Sequence, residues 1–278
     1  MLGVDIANYQ GRPDLLTARS AGERRFCIIL ATDGGDFTNP LLADQVAAAR
    51  AAGMLLGFYH YFRPAESPID QLRHFLSAIE PHRRDGDPLC LDVEEDGPDL
   101  PALVNLWVGG CKQRMAVAPL LYLNRDFIDR YDWANLARQC HLWLAAWQMD
   151  DCPAGYGPWG SVTVWQDSGG AAVPGIGWCD TDQFFGAASD WLALGTPDAA
   201  PLPQSPAEPP DGTGYTLAIN ERGEAVLTIN FGGRWARVKG IAGDVGITGV
   251  NDAGHQYHRT FRTQPDGSFA PLDFVQDS

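Results

Sequence analysis

Short apolar runs alternate with longer amphipathic segments over the first two thirds of this 278-residue chain. The runs lack a polar face, which indicates strands that are buried on both sides, and the segments between them have helical periodicity. Strands that alternate with helices in this way form a parallel sheet. The pattern predicts an α/β fold, an irregular TIM-like β/α barrel that is shorter than a typical one. The predicted strands are Leu2–Ile6, Phe26–Ala31, Leu55–Phe62, Leu89–Glu94, Leu120–Asn124, His141–Trp147 and Val162–Trp165. The predicted helices are Pro13–Ala21, Asn39–Ala52, Ser67–Ile79, Leu100–Met115 and Trp133–Arg138.

A proline-rich stretch at residues 196–212 divides the chain into two unequal parts. Its prolines, small residues and acidic residues favour a semi-rigid linker over a packed element. We therefore predict a barrel domain over residues 1–195 and a small all-β module over residues 213–278. In the module, apolar runs are separated by turn-rich segments. Its predicted strands are Tyr215–Asn220, Ala225–Phe231, Trp235–Val238, Val245–Val250 and Gln256–Thr263.

The acidic charge belongs mainly to the predicted barrel. The chain has 35 acidic and 20 basic side chains, a net charge of −15, whereas residues 211–278 hold only 8 acidic and 6 basic ones. Such acidity disfavours a nucleic-acid partner and an anionic membrane surface. The apolar runs all fall short of the ~18 residues that a membrane-spanning helix needs. We expect no nucleic-acid partner and no membrane partner.

The six cysteines show no metal-ligand spacing, so the sequence predicts no metal and no organic cofactor. Cys27 and Cys90 fall inside apolar runs and are expected to be buried thiols. The N-terminal residues MLGVDIANYQG contain neither a basic segment nor an apolar one, so no signal peptide is expected. Reduced cysteines are therefore favoured, while a Cys152–Cys179 disulfide stays open as an alternative.

Acidic residues stand where the predicted barrel strands end. Asp5 ends the first strand, and Asp92 and Glu94 end the fourth, two residues apart. A period of two predicts that this pair shares one strand face. Asp180 follows the last predicted strand. Because catalytic side chains of parallel barrels project from the carboxyl ends of strands, we predict that these four carboxylates meet at one mouth.

Aromatic residues end several of the other strands. Carboxyls in an aromatic-lined cleft are typical of a glycoside hydrolase, in which one carboxyl with a raised pKa protonates the leaving oxygen. Taken singly, each carboxyl is more simply a solvated strand end or a cap, and each aromatic ring a core residue. His60 points away from its tyrosine neighbours and is expected to be structural. These aromatic residues are Tyr59, Tyr61, Phe62, Tyr122, Trp147 and Trp165.

Seven segments, in order from residue 3 to about residue 185, resemble glycoside hydrolase family 25, the muramidases of phage endolysins and of bacterial and fungal lysozymes. The resemblance implies hydrolysis of the β-1,4 bond between N-acetylmuramic acid and N-acetylglucosamine in peptidoglycan. It implies Glu94 as proton donor, Asp92 as the carboxylate beside it, and Asp5 and Asp180 as the remaining acids. Two routes stay open: attack by the substrate's acetamido group, oriented by Asp92 or Asp180, and attack by an activated water. The segments are GVDIANYQG, FCIILATDGGDFTNP, GFYHYFRP, LCLDVEEDG, YLN, LWLAAWQ and VTVWQDSGGAAVPGIGWCDTDQF.

One departure from the family changes the charge of the mouth. The family often has a K-A-T-E-G segment, which here reads LATDG from Leu30 to Gly34, so a cation is missing and contacts near Asp33 are in doubt. Among the remaining acids we expect Glu94 to be protonated at neutral pH. The residues expected to contact substrate are Asp33, Tyr59, Tyr61, Arg63, Tyr122, Asn124, Trp147 and Trp165.

We expect a monomeric phage endolysin whose partner is bacterial peptidoglycan. It would stay in the host cytoplasm before lysis and then act on the wall. The β module would target the wall, because tethering raises the effective substrate concentration. Two alternatives stay open: a wall-binding or virion structural protein with an inactive barrel, and an endoglycosidase that cuts the other linkage or a different amino-sugar polymer. The module's candidate wall contacts, which are otherwise core residues, are Tyr215, Trp235, Tyr257 and Phe261.

Overall fold

A computed structural model describes residues 1–147 and 149–197, together with the backbone of six strands between residues 213 and 276. The chain divides into two compact units, Met1–Ala199 and Ala200–Ser278. Most of the predicted linker, residues 198–212, lies outside the described residues.

Eight strands of the first unit close into a barrel. Strand β1 pairs in parallel with β2 and antiparallel with β9, and the two pairings together complete the ring. The other barrel neighbours pair in parallel, except that β9 also runs antiparallel to β8, while the short β3 extends β2 outside the ring. The predicted TIM-like barrel is confirmed. The strands are β1 (Leu2–Ile6), β2 (Phe26–Asp33), β3 (Phe37–Thr38), β4 (Leu55–Tyr61), β5 (Leu89–Asp92), β6 (Leu120–Asn124), β7 (His141–Ala145), β8 (Val164–Val173) and β9 (Gly177–Phe184).

The last hairpin of the barrel differs from the prediction. Strand β8 runs well beyond the predicted end at Trp165, and β9 was not predicted, because polar residues interrupt the apolar pattern of both. Asp180 therefore lies within a strand, directly opposite Asp5, and not after the last strand. Strand β5 ends at Asp92, two residues before its predicted end, so Glu94 lies beyond the strand, although the side chains of Asp92 and Glu94 are hydrogen-bonded to each other.

The helices pack around the outside of the barrel, and most lie where the sequence predicts them. In α3 the Ser67 side chain accepts a hydrogen bond from the Asp70 amide, and Pro68 occupies the first turn, where its missing N–H costs little. Helices α5 and α7 are short and were not predicted. The helices are α1 (Leu15–Ser20), α2 (Leu42–Ala51), α3 (Pro68–Ile79), α4 (Leu100–Met115), α5 (Arg125–Arg130), α6 (Ala134–Ala137) and α7 (Ala188–Gly195).

Strand alternation separates an inner apolar layer from an outer one. In β1, Val4 and Ile6 belong to the layer between strands and helices, so Gly3 and Asp5 face the barrel interior. A Cβ on Gly3 would lie 2.2 Å from the ring of Phe26, so only glycine leaves room for that ring inside the barrel. The interior is thus a packed core, and Asp5 lies directly above it.

Helix α7 closes the amino-terminal end of the barrel. Trp191 is fully buried, with its ring centroid 4.4 Å from that of Phe26 and 5.2 Å from that of Phe184. Its indole Nε1 donates to the carbonyl of Leu56 at 3.0 Å, so the buried N–H is satisfied. With this end closed by aromatic packing, the carboxyl end is where the polar side chains collect.

The second unit contains two three-stranded antiparallel sheets, in the orders β10-β11-β12 and β13-β14-β15. The predicted all-β character is confirmed, and the last strand is an addition to the prediction. The four candidate wall contacts, Tyr215, Trp235, Tyr257 and Phe261, lie on strands of which only the backbone is described. The strands are β10 (Thr213–Ile219), β11 (Ala225–Phe231), β12 (Arg234–Gly240), β13 (Asp244–Val250), β14 (Gln256–Thr263) and β15 (Phe269–Gln276).

All six cysteines lie in the described part of the first unit, and each carries a free thiol. The Cys152–Cys179 disulfide left open above is therefore not formed here. Among the described residues, no helix is long and apolar enough to cross a membrane.

Replacing Trp191 by alanine should destabilise the barrel strongly, because it opens a cavity at the closed end and leaves the Leu56 carbonyl unpaired. We expect a loss of about 3–5 kcal/mol in the free energy of unfolding, measured by urea denaturation. Leu192→Ala on the same helix removes a side chain that is 42% exposed, and it should cost well under half as much. Equal losses in the two variants would contradict the closing role of Trp191.

Candidate active site

Five carboxyl groups meet at the carboxyl end of the barrel. Four of them are the predicted catalytic acids, so the structure brings these residues together. Asp182, the fifth, lies on β9 two residues after Asp180. The carboxyls differ in exposure: three are buried, Asp180 is half-buried and Glu94 is exposed at the mouth. The five are Asp5, Asp92, Glu94, Asp180 and Asp182.

The pKa of every one of these carboxyls is raised. Burial raises the pKa of Asp5 to about 7, with the charge of Asp180 adding to the effect. Burial, and then the charge of Glu94, hold the pKa of Asp92 well above its ordinary value. The pKa of Glu94 is raised by partial desolvation and by Asp180, against a hydrogen bond with Asp92 that lowers it. Because neighbouring carboxyls resist ionising together, part of the cluster stays protonated near neutral pH.

Gln166 joins this cluster to the aromatic lining. It is buried on β8, and its Nε2 donates to Asp5 Oδ2 at 2.9 Å. Its Oε1 accepts hydrogen bonds from Tyr122 Oη and Trp147 Nε1, both at 2.9 Å. Sequence reasoning missed Gln166. The available signal was an uncharged polar side chain at an inward position of an apolar strand.

Asp182 was also missed, because it follows the more obvious Asp180 in the segment WCDTDQF. It is completely buried, and its Oδ1 accepts a hydrogen bond from Trp143 Nε1 at 2.9 Å. Its carboxyl is also hydrogen-bonded to that of Asp5. The period of two along β9 places it on the inward face with Asp180.

The predicted aromatic contacts fall into two groups. Tyr59 and Tyr122 are buried beneath the carboxyls, and burial, followed by the charges of those carboxyls, holds both phenol pKa values well above normal. Tyr61 is half-buried, and Trp147 is 52% exposed. Trp178, which was not predicted, is 75% exposed and shares its face of β9 with Asp180.

Two of the predicted contacts have structural partners instead. Trp165 is buried in the outer layer, where its Nε1 donates to the carbonyl of Ala146 at 2.8 Å. Such burial leaves it no surface for a ligand. Asn124 caps helix α5, accepting a hydrogen bond from the Phe127 amide at 2.9 Å.

Arg63 supplies a positive charge at the rim. Its guanidinium donates two hydrogen bonds to Asp33, from Nε to Oδ1 at 2.6 Å and from Nη2 to Oδ2 at 2.7 Å, and it also contacts Glu95. It stacks over the ring of Tyr61, 4.6 Å from the centroid. The two predicted contacts Asp33 and Arg63 therefore form one ion pair, which ties the end of β2 to the chain that follows β4.

His60 lies on the outer face of β4, as the alternation requires. Its Nδ1 is 2.8 Å from Thr32 Oγ1 and its Nε2 is 3.1 Å from Gln71 Oε1. Burial lowers its pKa to about 4, so the ring is neutral near pH 7. Gln71 in turn bonds the backbone N–H and carbonyl of Arg63. His60 is thus part of the support of the rim and lies away from the carboxyl cluster.

The part of the chain that the structure describes contains no group of three or more His, Cys, Asp or Glu side chains placed to hold a metal ion.

A family model described as "Glycosyl hydrolases family 25" matches residues 4–176. Lysozyme M1 from Streptomyces globisporus is 27% identical over 210 residues, which cover 69% of this chain and 70% of that protein. The "Uncharacterized protein YegX" of Escherichia coli O6:H1 is 32% identical over 133 residues, so this chain spans about half of its length, 48%.

Solved structures are also similar to this chain. The muramidase from Acremonium alcalophilum has a TM-score of 0.62 at 26% identity, and the match covers 71% of this chain and all of that one. The catalytic domain of an endolysin from bacteriophage P40 of Listeria monocytogenes has a TM-score of 0.56 at 19% identity, covering 70% of this chain and 97% of that one, which shows the fold alone.

The low pKa of His60 predicts a stability that falls as the pH is lowered from 6.5 to about 4. In this range His60 is protonated in the unfolded chain but not in the folded one. The lowering of its pKa from 6.5 to about 4 corresponds to a loss of about 3 kcal/mol in the free energy of unfolding. His60→Gln should destabilise the protein at pH 7, and the deficit should shrink towards pH 4. Unfolding measured at both pH values checks this, and a constant deficit would contradict it.

Proposed function

Because the chain belongs to glycoside hydrolase family 25, we propose that it is a muramidase that hydrolyses the β-1,4 bond between N-acetylmuramic acid and N-acetylglucosamine in peptidoglycan. The observation that carries this proposal is the meeting of Asp5, Asp92, Glu94 and Asp180 at the open end of the barrel, beside exposed tryptophans. The similarity to Lysozyme M1 supports the same substrate class.

Glu94 is the best-placed general acid. It is exposed at the mouth, where it can reach a leaving oxygen, and its raised pKa keeps a proton available. Asp92 contacts it from the buried side and holds the carboxyl in place. Asp180, half-buried on β9, faces the same mouth and can orient the acetamido group or a water for attack at the anomeric carbon.

The exposed indoles of Trp147 and Trp178 offer surfaces on which sugar rings can stack. Trp147 is anchored through Nε1 to Gln166, the residue that also binds Asp5. A Cβ on Gly169 would lie 2.4 Å from the Trp147 ring, so glycine there lets the indole lie close against β8. We place the glycan chain across these rings with the scissile bond beside Glu94. Tyr61 and the Arg63–Asp33 pair form the opposite rim.

Glu94→Gln should lower the rate of cell-wall lysis by about 10²–10⁴-fold, because the amide cannot protonate the leaving group. Clearing of a purified peptidoglycan suspension measures this. Glu80→Gln is the matched control, since Glu80 is exposed and ends α3 at the opposite end of the barrel. A wild-type protein that clears no wall preparation would favour the alternative of an inactive binding barrel.

The bond cleaved should be visible in the products. Mass spectrometry of reduced fragments should place each new reducing end on N-acetylmuramic acid. New ends on N-acetylglucosamine would instead establish the alternative of an endoglycosidase that cuts the other linkage.

We further propose that the protein is a phage endolysin and that the all-β unit binds the cell wall. The comparison with the Acremonium muramidase supports a division of roles, because that whole chain matches only 71% of this one. The barrel is therefore the catalytic part, and the second unit is free to serve targeting. Tethering would raise the local substrate concentration without adding a catalytic contact.

A chain ending at residue 199 should keep the catalytic activity on soluble glycan fragments but lose retention on intact walls. Co-sedimentation with purified walls measures retention, and the rate on short fragments is the control for an intact barrel. Equal sedimentation of the full and shortened chains would reject the targeting role.

A further inference from the structure

We propose that Asp182 is a positioning residue that acts as a buried carboxylic acid, its proton donated to the carboxylate of Asp5. The proposal rests on the muramidase function above, because it assigns Asp5 a charged state that the reaction uses. Asp182 does not touch the substrate in this scheme.

The pairing of β1 with β9 creates the contact. Asp5 lies opposite Asp180, and Gly3 lies opposite Asp182. Asp5 and Asp182 are therefore diagonal neighbours on the inner face, within reach of each other across the two strands.

The hydrogen bonds leave one position for a proton. Asp182 Oδ1 accepts from Trp143 Nε1 at 2.9 Å, whereas Oδ2 has no donor among the described residues. Asp5 Oδ2 accepts from Gln166 Nε2 at 2.9 Å. Two buried carboxyls in contact cannot both be charged at low cost, so they share a proton.

The proton belongs on Asp182 because the two environments differ. Asp182 is fully buried, while Asp5 is 8% exposed towards the mouth. Burial and the charge of Asp5 raise the pKa of Asp182 well above normal. Burial and the charge of Asp180 raise the pKa of Asp5 to about 7, while hydrogen bonds with Gln166 and Asp182 oppose that rise. Of the two carboxyls, Asp5 is therefore the one that ionises as the pH passes about 7, and Asp182 is the one that keeps its proton.

The groups that face the pair come from several strands. On β9 the charge of Asp180 acts on both carboxyls, and Glu94, beyond β5, acts on Asp5. The thiols of Cys27 on β2 and Cys90 on β5 also lie near Asp182, and burial raises their pKa values well above normal, so both remain neutral. The neighbouring charges are therefore negative, which favours retention of the proton.

Asn is the matched substitute for a protonated Asp182. Its oxygen can accept from Trp143 and its amide can donate to Asp5, so Asp182→Asn should keep kcat/KM within about 3-fold near pH 7, where Asp5 ionises. The wild type loses the shared proton at high pH, and the amide cannot, so the basic limb of the pH profile should move up by about one unit or more. Asp182→Ala lacks both bonds and should lose about 10-fold or more in kcat/KM.

A second measurement does not depend on activity. Raised pKa values of buried acids in the folded state give stability that is fully present below the unfolded-state pKa of about 4 and is lost as the pH rises from there through the folded-state values, so wild-type stability should fall over that range. Asp182→Asn should flatten this fall, and Asp85→Asn, at a side chain that is 83% exposed, should leave it unchanged. An Asp182→Asn protein with the wild-type pH dependence in stability would overturn the proposal. A flattened stability profile in a protein that clears no walls would overturn the muramidase function and leave the shared proton standing.

Discussion

Closure of the barrel through an antiparallel strand is the constraint on which the site depends. Strand β9 enters between β8 and β1 in the direction opposite to both. That reversal brings the middle of β9, and not its end, to the carboxyl end of the neighbouring strands. Asp180 and Asp182 therefore face Asp5 across a single strand pairing. A parallel eighth strand would offer side chains only from its end and the loop after it.

Such closure carries an electrostatic cost, because it buries several carboxyl groups next to one another among aromatic side chains, where their charged forms lose hydration. Burying a charge is tolerated only where hydrogen bonds or a counter-charge replace the lost water. Here the donors nearest to Asp5 and Asp182 are neutral: the amide of Gln166 and the indole of Trp143. Gln166 also extends this network towards the mouth, because its Oε1 accepts a hydrogen bond from Trp147 Nε1. The network that stabilises the acids therefore also fixes the aromatic surface beside them.

Much of this arrangement could be predicted from the sequence, and its failures have a common cause. The apolar strands and the family segments were sufficient to predict the barrel and to bring Asp5, Asp92, Glu94 and Asp180 to one end. The errors fall where polar residues face inward, because hydrophobic periodicity cannot recognise a strand whose buried positions are Gln and Asp. Strand β9, Gln166 and Asp182 were missed for this one reason. Trp165, a predicted substrate contact, faces the outer layer, because a strand-end aromatic can face either layer and its register is not visible in the sequence.

The cluster of acids inside the barrel has no buried positive charge of a described residue beside it, so its charge has to be reduced in another way. Leu30, at the position where the family often has lysine, is buried in the inner apolar layer. Arg63 stays at the rim, where Asp33 and Glu95 already surround its guanidinium. The interior must then lower its charge by keeping protons, and the buried Asp182 and Asp92 are the groups that hold them most strongly. Glu94 belongs to the same proton-rich cluster but is its most exposed member, so water can return a proton to it after each donation. A general acid has to regain its proton in every turnover, and the exposure of Glu94 to water allows this.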